Sequence, residues 1–355
     1  VMGGAKMFQK ILVPLDGSDQ SGQIVNWASG LARGLGSEVV LLSVVDPDDV
    51  NLPSTDPAHD RFGSTAAGSG VYDHPGDEAT RGAAPSPIAS TPVTGVTQNT
   101  HSSTGASAYG TQLLEGAAEH VRQYLMAEAS KVTDAGGSAS VEVAIGNPAD
   151  EIGNAAERLG VDAVAMATRR ESALARGILG SVTDRVLHTT NLPMLVIHAD
   201  SNNKEGAAGS PGTVIVPLDG SLLSEQAVPV AREIAGAVGA KILFLRSTAS
   251  AFMGVADAGA NYIPTNYGTD EDRDDVSTYL QRFVIGASDA GIEAEALALT
   301  GSVVNAIVET AEASHEGLIV MSTHGRSGFK RFLLGSVADK VVRSSGTPVL
   351  VLPPE

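Results

Sequence analysis

Met321-Ser322-Thr323-His324-Gly325 and, after nine residues, Gly335-Ser336-Val337 repeat a segment 155 positions upstream. There the run is Met166-Ala167-Thr168-Arg169-Arg170, then nine residues, then Gly180-Ser181-Val182. The match continues through Asp184/Asp339, Val186/Val341 and Pro193/Pro348 into Met194-Leu195-Val196-Ile197 and Val349-Leu350-Val351-Leu352. A second repeat opens each copy, Ile11-Leu12-Val13-Pro14-Leu15-Asp16-Gly17-Ser18 against Val214-Ile215-Val216-Pro217-Leu218-Asp219-Gly220-Ser221, at an offset of 203. The chain is a duplication, and the change of offset from 203 to 155 places 48 extra positions inside the first copy. A loop that wraps phosphates needs glycine for close backbone approach. Only the second copy has Gly325, so the copies are expected to differ in what they bind.

Each half alternates short β-rich runs with amphipathic helical patterns, which predicts a parallel sheet covered on both faces. In the first half the expected strands are Lys10–Leu15, Val39–Val45, Val141–Ile145, Val161–Ala167 and Pro193–Ile197. The helices between them are one capped by Ser18 or Asp19 and closed by Gly36, one carrying Leu113 to Val132, then Ala149–Leu159 and Val182–His188. In the second half the strands are Thr213–Leu218, Lys241–Leu245, Ala294–Leu299, Gly317–Ser322 and Pro348–Leu352. Its helices are Ser224–Val238, Asp274–Ala290, Val303–Ala313 and Ser336–Ser344. Pro14 and Pro217 cannot donate to a ladder, so they are placed at carboxyl strand ends, where pairing stops. The reading is an α/β chain of two open five-stranded parallel sheets. Its parts are a leader at 1–7, a first domain at 8–200, a linker at 201–212 and a second domain at 213–355. The extra sequence, about 47–110, is rich in Gly, Ser, Thr, Pro and Asp and too poor in apolar residues to offset ordering entropy, so a mobile excursion is expected, with a lid as the alternative.

Composition bounds the function. The chain has 355 residues, enough for two cores, and no cysteine, which excludes disulfides and thiolate chemistry. A formal charge of −18 argues against nucleic-acid or anionic-membrane partners and also suits a soluble or salt-adapted surface. No stretch approaches a membrane span of about 20 apolar residues, and no secretory signal opens the chain, so a cytoplasmic location is expected.

The segment Ser322 to Ser336 starts where a fourth strand ends, the edge at which open α/β sheets place ligands. Gly325 and Gly328 give it conformational freedom, and Gly335-Ser336 opens a helix whose first N–H groups attract an anion. A tight turn with a helix cap is the plainer alternative. Asp219 at the end of the first strand can accept from an amino or hydroxyl group, or simply cap the next helix. Together the two elements suggest a nucleotide lying across the sheet. His324 is read either as a base near a phosphate or as an ordinary loop histidine. His188, His198 and His315 show no metal-ligand spacing, and no metal site or Ser-His-Asp set is expected.

These residues carry a resemblance. Ile-Leu-Val-Pro-Leu-Asp-Gly-Ser, Met-Ser-Thr-His-Gly-Arg-Ser-Gly, Leu-Leu-Gly-Ser-Val and the closing Pro-Val-Leu-Val-Leu make the chain similar to a tandem universal stress protein, one family domain per half. The resemblance implies strand order 3-2-1-4-5 and, in members with G-x2-G-x9-G-[ST], ATP as ligand, with or without Mg2+. Gly325, Gly335 and Ser336 match that pattern and Ser322 replaces its first glycine. Asp219 matches the adenine-contacting acid and Ser247 a backbone contact to adenine. Pro217, Ser221, His324, Arg326, Gly328 and Val337 complete the second-half candidates. In the first half Asp16, Val44, Gly180 and Ser181 are the weaker candidates. There Ala167 and Arg170 replace two glycines, so that site is expected to be lost or altered, unless Arg169 and Arg170 pair with phosphates. The resemblance further implies an internal pseudo-dimer through the strands ending at Ile197 and Leu352, and homo-oligomers as an extension of it. The function implied is an ATP-binding stress-response regulator. The alternatives are a scaffold without nucleotide and a slow ATPase. An adenylyl transferase would need an S-G-G-x-D-S or H-I-G-H-like motif that the sequence lacks.

Overall fold

Proline ends the first strand of each half: β1 is Lys10–Pro14 and β6 is Thr213–Pro217. The computed structural model describes residues 8–48, 108–169, 179–199, 209–248, 270–314, 316–323 and 334–354. The first half continues with α1 (Asp19–Leu35), β2 (Glu38–Val45), α2 (Ala108–Asp134), β3 (Ser138–Ile145), α3 (Pro148–Leu159), β4 (Ala163–Arg169), α4 (Ser181–Thr189) and β5 (Met194–Ala199). After β6 the second half runs α5 (Leu222–Glu225), α6 (Ala227–Val238), β7 (Lys241–Thr248), α7 (Asp270–Ser288), β8 (Ala294–Thr300), α8 (Val303–Ala313), β9 (Gly317–Ser322), α9 (Ser336–Ser344) and β10 (Val349–Leu352). Most of the excursion expected at about 47–110, and the linker up to residue 208, lie outside the described residues.

Local chemistry explains the boundaries. Ser18 caps α1 by accepting from the Ser21 N–H, and Gly36 closes it in the left-handed region at φ 69°. Asn147 caps α3, with Pro148 at its first position, where a missing N–H costs nothing. The helix expected over Ser224–Val238 is instead two, α5 and α6, meeting at Gln226. Pro229 has no N–H for the Glu225 carbonyl four residues earlier, so the ladder breaks there.

The two sheets expected from the repeats are one. Ten strands run in the order β3-β2-β1-β4-β5-β10-β9-β6-β7-β8. Each half keeps the order 3-2-1-4-5 in parallel, and the halves join by the antiparallel pair β5–β10, with Val349 opposite Val196, Leu350 opposite Leu195 and Val351 opposite Met194. Separate sheets would leave two apolar edge strands with unpaired N–H and C=O groups, and the seam satisfies both at once.

Side chains alternate across this sheet. Ile11 and Val13 enter one core, shared by α1, α2, α6 and α7, while Leu12 enters the other, shared by α3, α4, α8 and α9. Both cores are continuous through the seam. The first holds Leu195 with Leu350 and Phe244, and the second holds Val196 with Val349 and Ile319. Beside the sheet, α1 packs against α6 and against the bend that precedes β6. Gly30 in α1 lies against Gly209, and a Cβ there would sit 1.2 Å from the Gly209 carbonyl oxygen. Alanine in a helix interior ordinarily gains about 1 kcal/mol over glycine. Here the backbone clash reverses the sign, and Gly30→Ala is expected to lower stability by about 1–2 kcal/mol in chemical denaturation.

Candidate functional site

In each half the strands of a 3-2-1-4-5 array deliver their carboxyl ends to one edge, beside the first turn of the helix after strand four. Two cavities occupy these equivalent places.

In the second half Asp219 follows β6 in a turn that Gly220 makes at φ 87°. Its Oδ1 accepts from the Ser221 N–H at 2.9 Å and the Ser221 hydroxyl at 2.6 Å. Ser221 in turn caps α5 by accepting from the Ser224 N–H at 3.1 Å. The Asp-Gly-Ser run therefore builds a rigid turn that fixes the carboxylate at the strand end. Ser221 sets that turn and does not line the cavity. From β9 the chain passes Ser322 and Thr323, whose carbonyl accepts from the Gly335 N–H at 2.6 Å. That bond holds the start of α9 against the end of β9. Gly335 is the N-cap and supplies no side-chain bond to the helix's first N–H groups. Pro217, Asp219, Ser247, Ser322, Gly335, Ser336 and Val337 surround a cavity of about 300 Å³. Leu245, Ile307 and Met321 give it an apolar wall. His324, Gly325, Arg326 and Gly328 lie outside the described residues.

The first half repeats the arrangement. Asp16 Oδ1 accepts from the Ser18 N–H at 3.0 Å and the Ser18 hydroxyl at 2.6 Å. The hydroxyl of Thr168 accepts from the Gly180 N–H at 3.1 Å, and Gly180 again caps its helix without a side chain. Asp16, Val44, Gly180 and Ser181 all line a cavity of about 800 Å³, with Leu42, Ile152, Met166 and Ala167 as its wall. Arg170, the residue expected to alter this site, lies outside the described residues.

Both volumes fall in the range of small-molecule sites, and both combine apolar walls with a few convergent polar groups. A strand-end carboxylate fixed by its turn can accept from an amino or hydroxyl group of a ligand. The first N–H groups of α4 and α9 can donate to an anion. Among the described residues no cluster of His, Cys, Asp or Glu could hold a metal ion, and no helix is long and apolar enough to cross a membrane.

Polar lining residues that were not among the candidates include Thr168, Thr323 and Arg343. Thr168 and Thr323 stand at the same repeat position in both copies, a signal the alignment of the halves contains. Arg343 comes from α9 of the second half, yet it lines the first half's cavity. Its Nη2 donates to Asp184 Oδ1 at 2.5 Å and its Nε to Asp339 Oδ1 at 2.7 Å. Partial burial pulls the guanidinium's pKa down, but Asp339 and Asp184 together outweigh it and raise the value above its ordinary one.

The sequence model described as Universal stress protein family matches residues 7–67, 90–198 and 212–353. A curated universal stress protein of Methanocaldococcus jannaschii is 32% identical over 140 residues, covering 39% of this chain and 80% of that protein. A solved universal stress protein of Archaeoglobus fulgidus superposes with a TM-score of 0.60 at 20% identity, over 97% of this chain and 98% of that one, a likeness of fold. A solved universal stress protein in complex with cAMP is 29% identical and covers 41% of this chain and 99% of that one, with a TM-score of 0.31.

Proposed function

Because this chain belongs to the universal stress protein family, we propose that it is an ATP-binding regulatory protein of the stress response, holding nucleotide chiefly in its second half. The observation that carries this reading is the convergence of Asp219, Ser247, Ser322, Gly335 and Ser336 on one cavity at the carboxyl ends of β6, β7 and β9. Those are the positions at which the resemblance to ATP-binding members places adenine and phosphate contacts. In this reading Asp219 takes a hydrogen bond from the base, Ser247 lies beside it, and the first N–H groups of α9 take phosphate oxygens. Any Mg2+ arrives with the nucleotide. The halves act as two domains, 8–200 and 213–355, in a cytoplasmic protein. The function in this reading is binding and signalling, with slow ATP hydrolysis as the alternative.

Calorimetric titration of nucleotide-free protein with Mg-ATP tests this. One tight event per chain is expected, and Asp219→Ala should weaken it about 10- to 100-fold, corresponding to the ~1–3 kcal/mol of one buried polar contact. Nucleotide at about a hundred times its dissociation constant should also stabilise the fold by about 2.7 kcal/mol. Titration with cAMP runs alongside, since a solved relative holds it. A tight event that survives Asp219→Ala at full strength overturns the placement. A chain that takes up no nucleotide is instead a scaffold.

A further inference from the structure

Arg343 belongs to the second half by sequence and to the first half's cavity by position. The antiparallel seam explains this. It lays α9 alongside α4 in the opposite direction, so the last turn of α9 lands beside the first turn of α4. Contacts from both halves hold it there. His198 of β5 donates from Nε2 to the Val342 carbonyl at 2.5 Å, and Asp184 of α4 receives the Arg343 guanidinium. Among the described residues Arg343 is the single cation lining this cavity. The corresponding position of the first copy is His188, which bonds to the Asp184 carbonyl at 2.7 Å and does not line the second half's cavity. The described lining of that second cavity contains no lysine or arginine.

We propose that the first-half cavity is a composite phosphate-ligand site completed by Arg343, which binds a phosphate group of a nucleotide there in exchange for Asp184. This rests on reading the two cavities as nucleotide sites. The two carboxylate contacts engage Nε and Nη2, so two of five N–H donors are committed and three remain for a ligand. A phosphate carries more charge than a carboxylate and matches the guanidinium fork equally well. Asp184 is 39% exposed and can turn to water when displaced, while Asp339 keeps hold of Nε. The second half would then supply a described cation to a first-half site whose loop departs from the glycine pattern at Ala167 and Arg170. Ligand in the first half would be felt directly by the last helix of the second.

The test uses the full chain carrying Asp219→Ala, so that the first-half event dominates, and titrates it with Mg-ATP and with adenosine. Adding Arg343→Gln should weaken ATP about tenfold and leave adenosine unchanged, because the lost contact is to phosphate. Arg343→Lys should restore most of the ATP affinity, and Asp184→Asn should tighten ATP by freeing the guanidinium. Equal losses for ATP and adenosine, or no loss for either, would overturn the proposal and leave Arg343 a strut of the seam. If neither ligand binds before Arg343 is changed, the reading of the cavity itself fails, and the proposal with it. Melting of each ligand-free variant confirms that it is folded.

Discussion

Leu350→Asp should abolish the native fold, or free the halves from each other, at neutral pH. Leu350 is 3% exposed at the middle of β10 and faces Leu195 across the seam. Truncating such a leucine costs about 2–5 kcal/mol, and placing a carboxylate there without a partner costs several more. The sum approaches the whole stability of an ordinary domain, about 5–15 kcal/mol. Leu350→Ala separates the two terms, because it removes the packing without adding charge. Calorimetric melting is the measurement. The wild type should melt in one transition, since both cores run through the seam, whereas the aspartate variant should melt at least 20 °C lower, in two transitions, or show none. An aspartate variant with a single transition near the wild-type temperature would show that the seam contributes little.

Phe244→Ala should cost about 3–5 kcal/mol, as expected for a fully buried aromatic. Phe244 is 0% exposed on β7, with its ring 5.6 Å from that of Phe283 on α7. Phe283 meets Tyr279 edge-on at 5.3 Å, and Arg282 lies over both rings. The cavity left by the truncation therefore opens beneath a stacked cluster whose members hold one another in place. Because the unit that melts spans both halves, each kcal/mol is worth about 1–2 °C, so a fall of about 5 °C is expected. Phe244 shares its core with Ile11 and Leu41 of the first half. The melt should therefore stay single and shift as a whole. A second half that melts early by itself would mean that the shared core does not couple the halves.

Much of the architecture was legible in the repeats. The paired openings at Ile11 and Val214 mark the first strand of each half, and Pro14 and Pro217 mark where it ends. Val303–Ala313, Gly317–Ser322 and Ser336–Ser344 form at the expected bounds, because local patterning and the caps Ser302 and Gly335 settle them. The merging of two sheets into one was not legible in the repeats alone, and the pairing of the strands ending at Ile197 and Leu352 was expected only from the family resemblance. Apolar runs at Met194 and Val349 announce two edges, but nothing local says that one edge completes the other across 155 positions. The break at Gln226 was missed for a different reason, since Pro229 acts on a carbonyl four residues before it. At the candidate site, Asp219 was read from its place at a strand end and Ser247 from the family resemblance, and both line the cavity. Ser221, also a candidate, builds the Asp-Gly-Ser turn and is not among the residues that line the cavity. Arg343 could not be read at all, because its cavity partner Asp184 lies 159 residues away and in the other half.

The antiparallel seam has one more consequence. Strands of the two halves run in opposite directions, so their carboxyl ends emerge on opposite rims of the ten-stranded sheet. The molecule is bipolar, with one mouth at each pole, and ligands in the two cavities never meet. A large partner seated over one mouth leaves the other facing solvent, free to exchange its contents. Two occupants at the two mouths would therefore not compete for room, an independence that cavities on a shared rim do not allow.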